Sequence, residues 1–428
     1  MTSQTSARRI TGLDEVVRHL GPGSSVVLHS AYAEPTFLAA ELARVGKGLD
    51  RVTVYAMMPM GATPYAAADL KGHLAVRTFF PGKGLREAVN DGRAELIRAP
   101  VSAIPPMFSQ GLIKADVLLL QVSSPDSDGK VSLGLSVDYM PAVLAQNPII
   151  VAEINPAMPH TCGDSCISVE QLDYVVDART PPLALPAAGP ADETDRRIAE
   201  HVAGLIGHGA IIQLGIGSIP DLVLGHLGHL RDLGIHSGII TDAVRPLIER
   251  GVVNNATKRR FTGKTVTTMA AGTPDFYKYL HQNPLIEFHP CSLTHDADEL
   301  AAIDDLCAIN SVLQVDLDGQ ANAEQIDGRI ISSLGGLPDF ARGASVAKGG
   351  RSIITLRSSS RDGTSSNIMA KFPDGGPVTV AANDVDFVVT EYGVASIRGL
   401  GPLERARALI EVAHPNHRAD LRRHRLAE

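Results

Sequence analysis

The sequence predicts an α/β protein of two tandem domains, each built on a mostly parallel sheet. Three observations point there. Short apolar runs of strand type alternate with helical stretches along the chain, the signature of βαβ units. The second half repeats the type of the first. Between them, residues 177–195 (DARTPPLALPAAGPADETD) are rich in Pro and Ala, lack periodicity and read as a linker. The domains expected are 1–185 and 186–428, with a cleft between them, and 428 residues suffice for two or three domains and a large core.

Residues 12–23 read as a short helix stopped by Gly21-Pro22-Gly23. Strands are expected at Ser25–Leu28, Val52–Ala56, Ala94–Ile97, Val117–Val122 and Ile149–Ile154, with a helix over Pro35–Val45. Phe80–Arg86 (FPGKGLR) is a basic glycine-rich loop, either beside an anionic ligand or a solvated turn. Ser123–Gly134 (SSPDSDGKVSLG) directly follows an apolar strand, where open α/β sheets place ligands, although a plain turn has the same composition. Past the linker come a helix over Arg197–Ile206 and strands at Ala210–Ile212, Gly238–Thr241, Val266–Met269, Ser311–Val315, Ser352–Leu356, Val378–Val380 and Phe387–Thr390.

Composition narrows the function. Apolar residues make up 44% and charged residues 20%, and the formal charge is −8 with no long Lys/Arg cluster to reverse it locally. These values argue against a nucleic-acid or anionic-membrane partner. The N-terminus lacks an apolar signal region and no run approaches 18 apolar residues, so a cytoplasmic protein is expected. Cys162, Cys166, Cys291 and Cys307 are too few and too scattered for a disulfide framework.

The stretch from Gln213 to Asp242 carries the strongest local signal. A strand breaks at Gly215-Ile216-Gly217, and Ser218-Ile219-Pro220-Asp221 opens a helical pattern with Ser218 as the expected N-cap. A glycine turn ahead of a helix presents backbone N–H groups and the positive end of the helix dipole to a phosphate. The dinucleotide pattern G-x-G-x-x-G is not met, because Pro220 stands at its third glycine, so an ordinary tight turn is the alternative. Phe261–Thr265 (FTGKT) resembles a P-loop end, but Arg259 stands where the glycine belongs. His160, Cys162 and Cys166 lack a fourth metal ligand at suitable spacing, and no metal is expected. Phe288–Asp296 (FHPCSLTHD) concentrates His, Cys and Asp, either a base, nucleophile and carboxylate set or an exposed loop. Gly335-Gly336 offers either close approach to a ligand or a turn. Glu391 ends a strand as a potential acid or a structural acceptor, and His414 and His417 add potential bases.

Taken in order, SSPDSDGKVSLG, NPAMPHTCGDS, LGIGSIPD, LGIHS, INSVLQVDLDGQ, GGLPDFARGA, VVTEYGVASIRG and RARALIEVAHPNHR resemble blocks of the acetyl-CoA hydrolase/transferase family, in its 4-hydroxybutyrate and butyrate CoA-transferase branch. The resemblance spans nearly the whole chain. It implies tandem CoA-transferase-type domains, acyl-CoA in the cleft, a small carboxylate as a second substrate, and a homodimer or higher oligomer. It also implies coenzyme A contacts at Gln213, Gly215, Ile216, Gly217 and Ser218, at Leu313, and at Gly335 and Gly336.

The family's chemistry does not transfer with its fold. Its glutamate nucleophile follows the His-Ser or Tyr-Thr pair, here His236-Ser237, and the next residue is Gly238; no glutamate occurs between Glu200 and Glu249. The family's oxyanion asparagine falls at about Asp296, the polar residue after the double glycine is Leu337, and an arginine is replaced by Ala382. Three readings follow. The chain is an acyl-CoA enzyme that runs hydrolysis, decarboxylation or C–C cleavage, with His236, Ser237, Asp242, His295 and Asp296 as candidate acid/base groups. Or it is a CoA-transferase using another carboxylate, Glu153, or a non-catalytic CoA-binding subunit.

Overall fold

Buried apolar runs, punctuated by glycine and proline, build two units in the computed structural model, which describes residues 7–185 and 191–426. One unit comprises Met1–Pro186 with Val266–Leu293, the other Ala187–Thr265 with Thr294–Glu428. Residues 186–190 of the expected linker lie outside the described residues. No described helix is long and apolar enough to cross a membrane.

In the first unit the strands are β1 (Arg8–Arg9), β2 (Ser25–Leu28), β3 (Val52–Met57), β4 (Leu74–Phe80), β5 (Ala94–Leu96) and β6 (Val117–Val122). They are followed by β7 (Lys130–Ser132), β8 (Ile149–Ile154), β9 (Cys162–Gly163), β10 (Cys166–Ser168) and β11 (Tyr174–Asp177). The main sheet runs β1-β11-β8-β6-β2-β3-β4-β5 and every pairing is parallel. The chain leaves β2 towards β3, β4 and β5, then returns to lay β6, β8 and β11 on the other side. Helix α1 (Thr36–Gly46) buries Leu38, Ala39 and Leu42 at helical spacing against the sheet's Val26, Val54 and Val76. Outside the main sheet, β7 pairs with β10 in antiparallel register, Cys166 opposite Ser132, and β9 pairs with Ile286–Phe288.

The second unit has β12 (Ile211–Leu214), β13 (Gly234–Ile240), β14 (Leu306–Ser311), β15 (Arg351–Thr355), β16 (Phe387–Thr390) and β17 (Gly393–Ser396). They follow the order β17-β16-β15-β14-β12-β13, parallel except for the β16–β17 hairpin. Helices α2 (Glu193–Ala203), α3 (Ser218–His226), α4 (Ala297–Ala301) and α5 (Leu337–Val346) accompany the sheet, and α5 buries Phe340, Ala341 and Ala344.

Several elements depart from expectation. Residues 12–23 form two 3₁₀ turns, Leu13–Glu15 and Val17–His19, since Gly12 supplies no side-chain cap and the Gly-Pro-Gly stop comes too soon for a regular helix. Leu74–Phe80 is a strand that the glycine-rich stretch beginning at Phe80 concealed. The strand expected at Ser311–Val315 is instead β14, five residues earlier, followed by a separate short strand at Gln314–Asp316. Val378–Val380 forms no strand: Val380 makes a single bridge to Ala321.

Candidate active site

In the second unit the chain steps from β12 to β13 on one side and later places β14 on the other, so β12 ends at the point where strand order reverses. Open α/β sheets form their ligand crevice at such a point. There Gly215-Ile216-Gly217 turns the chain into α3, with Gly217 at φ 138° and Ile216 exposed. Gly217, not Ser218, is the N-cap. Ser218 is the first helical residue, and its hydroxyl donates to Asp195 Oδ2 at 2.7 Å. No side chain caps the start of α3, so its first turn keeps the anion-binding character of a helix N-terminus. Gln213 is buried and exchanges hydrogen bonds with Asn310 on β14, 3.2 and 2.9 Å, which makes it a brace between strands. Leu313 donates its backbone N–H to Asn322 O at 2.8 Å. Gly335 adopts φ 57°, and Gly336 opens α5.

Strand alternation divides the β13 candidates. Ser237 points to the opposite face from His236 and Gly238. Its hydroxyl lies 3.0 Å from Leu214 O and 2.8 Å from Ile239 O, bracing β13 against the end of β12. On the other face His236, buried, donates from Nε2 to Thr294 O at 3.1 Å. Gly238 faces His295: a Cβ added at 238 would lie 2.8 Å from His295 Nε2 and 3.0 Å from Cε1. A Cβ at Gly336 would lie 2.5 Å from the same nitrogen. The imidazole therefore fills the space that side chains at both glycines would need. Phe340, one turn beyond Gly336, packs its ring 4.8 Å from that of His295, edge to face.

The hydrogen-bond inventory fixes the tautomer of His295. Thr294 Oγ1 lies 2.9 Å from Nδ1, and both residues are buried. If the hydroxyl donates, its hydrogen and the Nδ1 lone pair are both satisfied and Nε2–H alone is unpaired; if Nδ1–H donates, both the hydroxyl hydrogen and the Nε2 lone pair are left over. The first arrangement leaves the proton on Nε2, aimed at the two glycines. Burial pushes the imidazole down to about 3, so it is neutral at physiological pH.

The remaining candidates serve other ends. Asp296 is the N-cap of α4, its Oδ1 accepting from Asp298 N and Glu299 N at 3.0 Å each. Asp242 begins a 3₁₀ turn past the end of β13. The FHPCSLTHD stretch divides: His289, between Asp164 (2.8 Å) and Glu287 (3.1 Å), and Cys291 belong to the first unit, His295 and Asp296 to the second. Glu391 accepts from Ser358 N and Oγ, 3.0 and 2.5 Å, the structural alternative of its two readings. Glu153, in the first unit, accepts from Phe37 N and Leu38 N at the start of α1, and burial raises its carboxyl to about 7. A carboxyl so placed is about half protonated at neutral pH. Among the described residues no group of three His, Cys, Asp or Glu could hold a metal ion. Sequence reasoning missed Thr294 and Phe340; the available signal was their position beside His295 and within the GGLPDF block.

Two family models match the chain: the acetyl-CoA hydrolase/transferase N-terminal domain over residues 3–185, and the corresponding C-terminal domain over 272–425. The chain is 38% identical to the 4-hydroxybutyrate coenzyme A transferase of Clostridium kluyveri, over 96% of each protein. It is 26% identical to an acetyl-CoA hydrolase of Schizosaccharomyces pombe, over 80% of this chain and 73% of that one. The crystal structure of RipA from Yersinia pestis superposes with a TM-score of 0.91 at 30% identity, covering 98% of this chain and 97% of that chain.

Proposed function

The chain belongs to the acetyl-CoA hydrolase/transferase family, and from that premise we propose that it cleaves acyl-CoA thioesters by direct attack of water, without a glutamyl-enzyme intermediate. The observation that carries this reading is the His295 ring in the space a side chain at 238 would occupy. The resemblance of the LGIHS block implies the family's glutamate at that position.

The Gly215–Ser218 turn and the uncapped start of α3 supply a binding surface for the phosphates of coenzyme A. His295 Nε2–H donates to the thioester oxygen as negative charge develops there. A neutral imidazole suits the task, because it donates without having to give up a full proton. Water adds to the acyl carbon, the C–S bond breaks, and the proton released by water ends on the departing thiol, yielding a free acid and coenzyme A.

The test is a panel of acyl-CoA substrates, each incubated with and without isotopically labelled acetate. Free coenzyme A should appear at the same rate in both arms, with no label in the thioester pool. Label entering that pool would show transfer to a carboxylate and overturn the reading. Replacing His295 with Gln should lower kcat by roughly 100-fold, the loss expected for an oxyanion donor, with little change in KM.

A further inference from the structure

In the first unit, the SSPDSDGKVSLG loop and the HTCGDSC segment meet beyond the C-terminal end of β6, beside the point where that sheet's strand order reverses. His160 Nε2 lies 3.3 Å from Cys166 Sγ and 3.5 Å from Asp126 Oδ2, while its Nδ1 lies 3.3 Å from Ser123 Oγ.

Hydrogen-bond accounting orients the imidazole. Ser123 spends its hydroxyl hydrogen on Ser124 O at 2.9 Å and accepts from Ser132 N at 2.9 Å, leaving a lone pair for the His160 Nδ1 proton. In that tautomer Nε2 carries the lone pair facing the thiol, with Asp126 Oδ2 beside the same nitrogen to pair with it once it is protonated. The ring is held from both sides of its backbone: His160 N donates to His281 Nδ1 at 3.1 Å, and His160 O accepts from Gln282 N at 2.8 Å. Asp126 is fixed as well, its Oδ1 accepting from Asp128 N and Lys130 N at 2.9 Å each, which leaves Oδ2 towards the imidazole. The group is reachable from solvent: the His160 and Asp126 side chains are 13% and 25% exposed, and Cys166 is half-buried. Cys291 and Cys307 are buried.

We propose that Cys166 is an acyl-acceptor thiol, distinct from the site at His295, that takes acyl groups from thioesters with His160 as its base and Asp126 supporting the resulting imidazolium. The step balances. The Cys166 sulfur forms a bond to the acyl carbon as its proton passes to His160 Nε2, the bond between that carbon and the sulfur of coenzyme A breaks, and the proton is handed to the departing thiolate. S-acyl Cys166 and free coenzyme A result. Burial pushes the thiol up and the imidazole down, so the pair rests uncharged and the thiolate arises during the attack. The proposal uses thioester as acyl donor and does not depend on water being the nucleophile at His295.

The test is peptide mass spectrometry of the full chain incubated with acetyl-CoA, with hydroxylamine lability identifying the thioester. Cys166 should acquire acetyl at least about tenfold faster than Cys162, and His160→Gln should slow its labelling by roughly 100-fold, the usual share of a general base. The wild-type comparison within one molecule needs no variant to fold. Cys166→Ser should leave acyl-CoA turnover unchanged. Equal labelling of Cys162 and Cys166, or labelling of Cys166 in the His160→Gln protein at the wild-type rate, would overturn the assignment of a base-activated thiol. Loss of turnover in Cys166→Ser would overturn the separation of the two sites.

Discussion

Gly238→Ala tests whether His295 and the glycine it faces form one packing unit. Gly238 lies within β13 and outside the positive-φ region, so alanine meets no backbone strain and the cost comes from contact. The added Cβ would stand 2.8 Å from His295 Nε2 and 3.4 Å from Phe340 Cε2, against a ring that Thr294 Oγ1 and Phe340 hold in place. Overpacking of this kind costs about 1–3 kcal/mol. His295→Ala alone should cost about 2–4 kcal/mol, from the cavity and from the Thr294 hydroxyl it leaves without its acceptor. In the double variant the new methyl group enters space the imidazole has vacated, so its own penalty should disappear. Urea unfolding of all four proteins should therefore give a coupling energy of about 1–3 kcal/mol in favour of the double variant. Additivity within about 0.5 kcal/mol would show that the ring yields freely, and would remove the argument that a side chain at 238 and His295 exclude each other.

Other changes separate structural from chemical roles. Asp296→Ala removes a helix N-cap and should lower stability by about 1 kcal/mol in a thermal melt, with kcat retained; a loss of kcat beyond tenfold would return Asp296 to the chemistry. Gly217→Ala meets open space, its nearest neighbour being Pro220 at 3.9 Å, but φ 138° is strained for alanine. It should cost roughly 1–3 kcal/mol of stability and weaken coenzyme A binding measured by calorimetry. Glu34 is buried with Oε2 accepting from Met60 N and Gly61 N, and burial raises its carboxyl from 4.5 to about 7. The folded state thus holds the proton more tightly than the unfolded one. This contribution is fully present below pH 4.5 and is lost as pH rises to 7, a change of roughly 3–4 kcal/mol at about 1.4 kcal/mol per pH unit. Glu34→Gln should remove that decline, so its stability relative to wild type should improve between pH 5 and 8 in urea titrations; parallel curves would refute the assignment.

The parallel sheets were legible because their strands are continuous apolar runs: Val117–Val122, Ile149–Ile154 and Phe387–Thr390 lie within the bounds read from sequence. The Leu74–Phe80 strand was not, since exposed Ala75 and half-buried Arg77 interrupt its apolar run and a glycine-rich loop follows at once. The site was half legible. His236, Gly238 and His295 were singled out, and they do share one face of the second unit. Ser237 was ranked with them by adjacency, although alternation along a strand sends it to the opposite face. Asp296 reads as a departure from an oxyanion donor, but its Oδ1 accepts from the first turn of α4. What sequence could not show is that one ring answers two glycines a hundred residues apart, since Gly238 and Gly336 each resemble an ordinary turn or strand glycine until the space beside them is measured.

That shared space bears on the glutamate that the resemblance of the LGIHS block implies at position 238. Were Gly238 a simple deletion of a nucleophile, a void would be expected beside it, and voids in a packed core are destabilising. Instead the volume is filled by a residue 57 positions later, whose own accommodation requires glycine at 336 as well. Restoring glutamate at 238 by itself would therefore place a carboxylate against a buried neutral imidazole, with no room for either, and should not restore transfer. On the reading proposed here, the enzyme supplies a fixed neutral donor and the nucleophile arrives from outside.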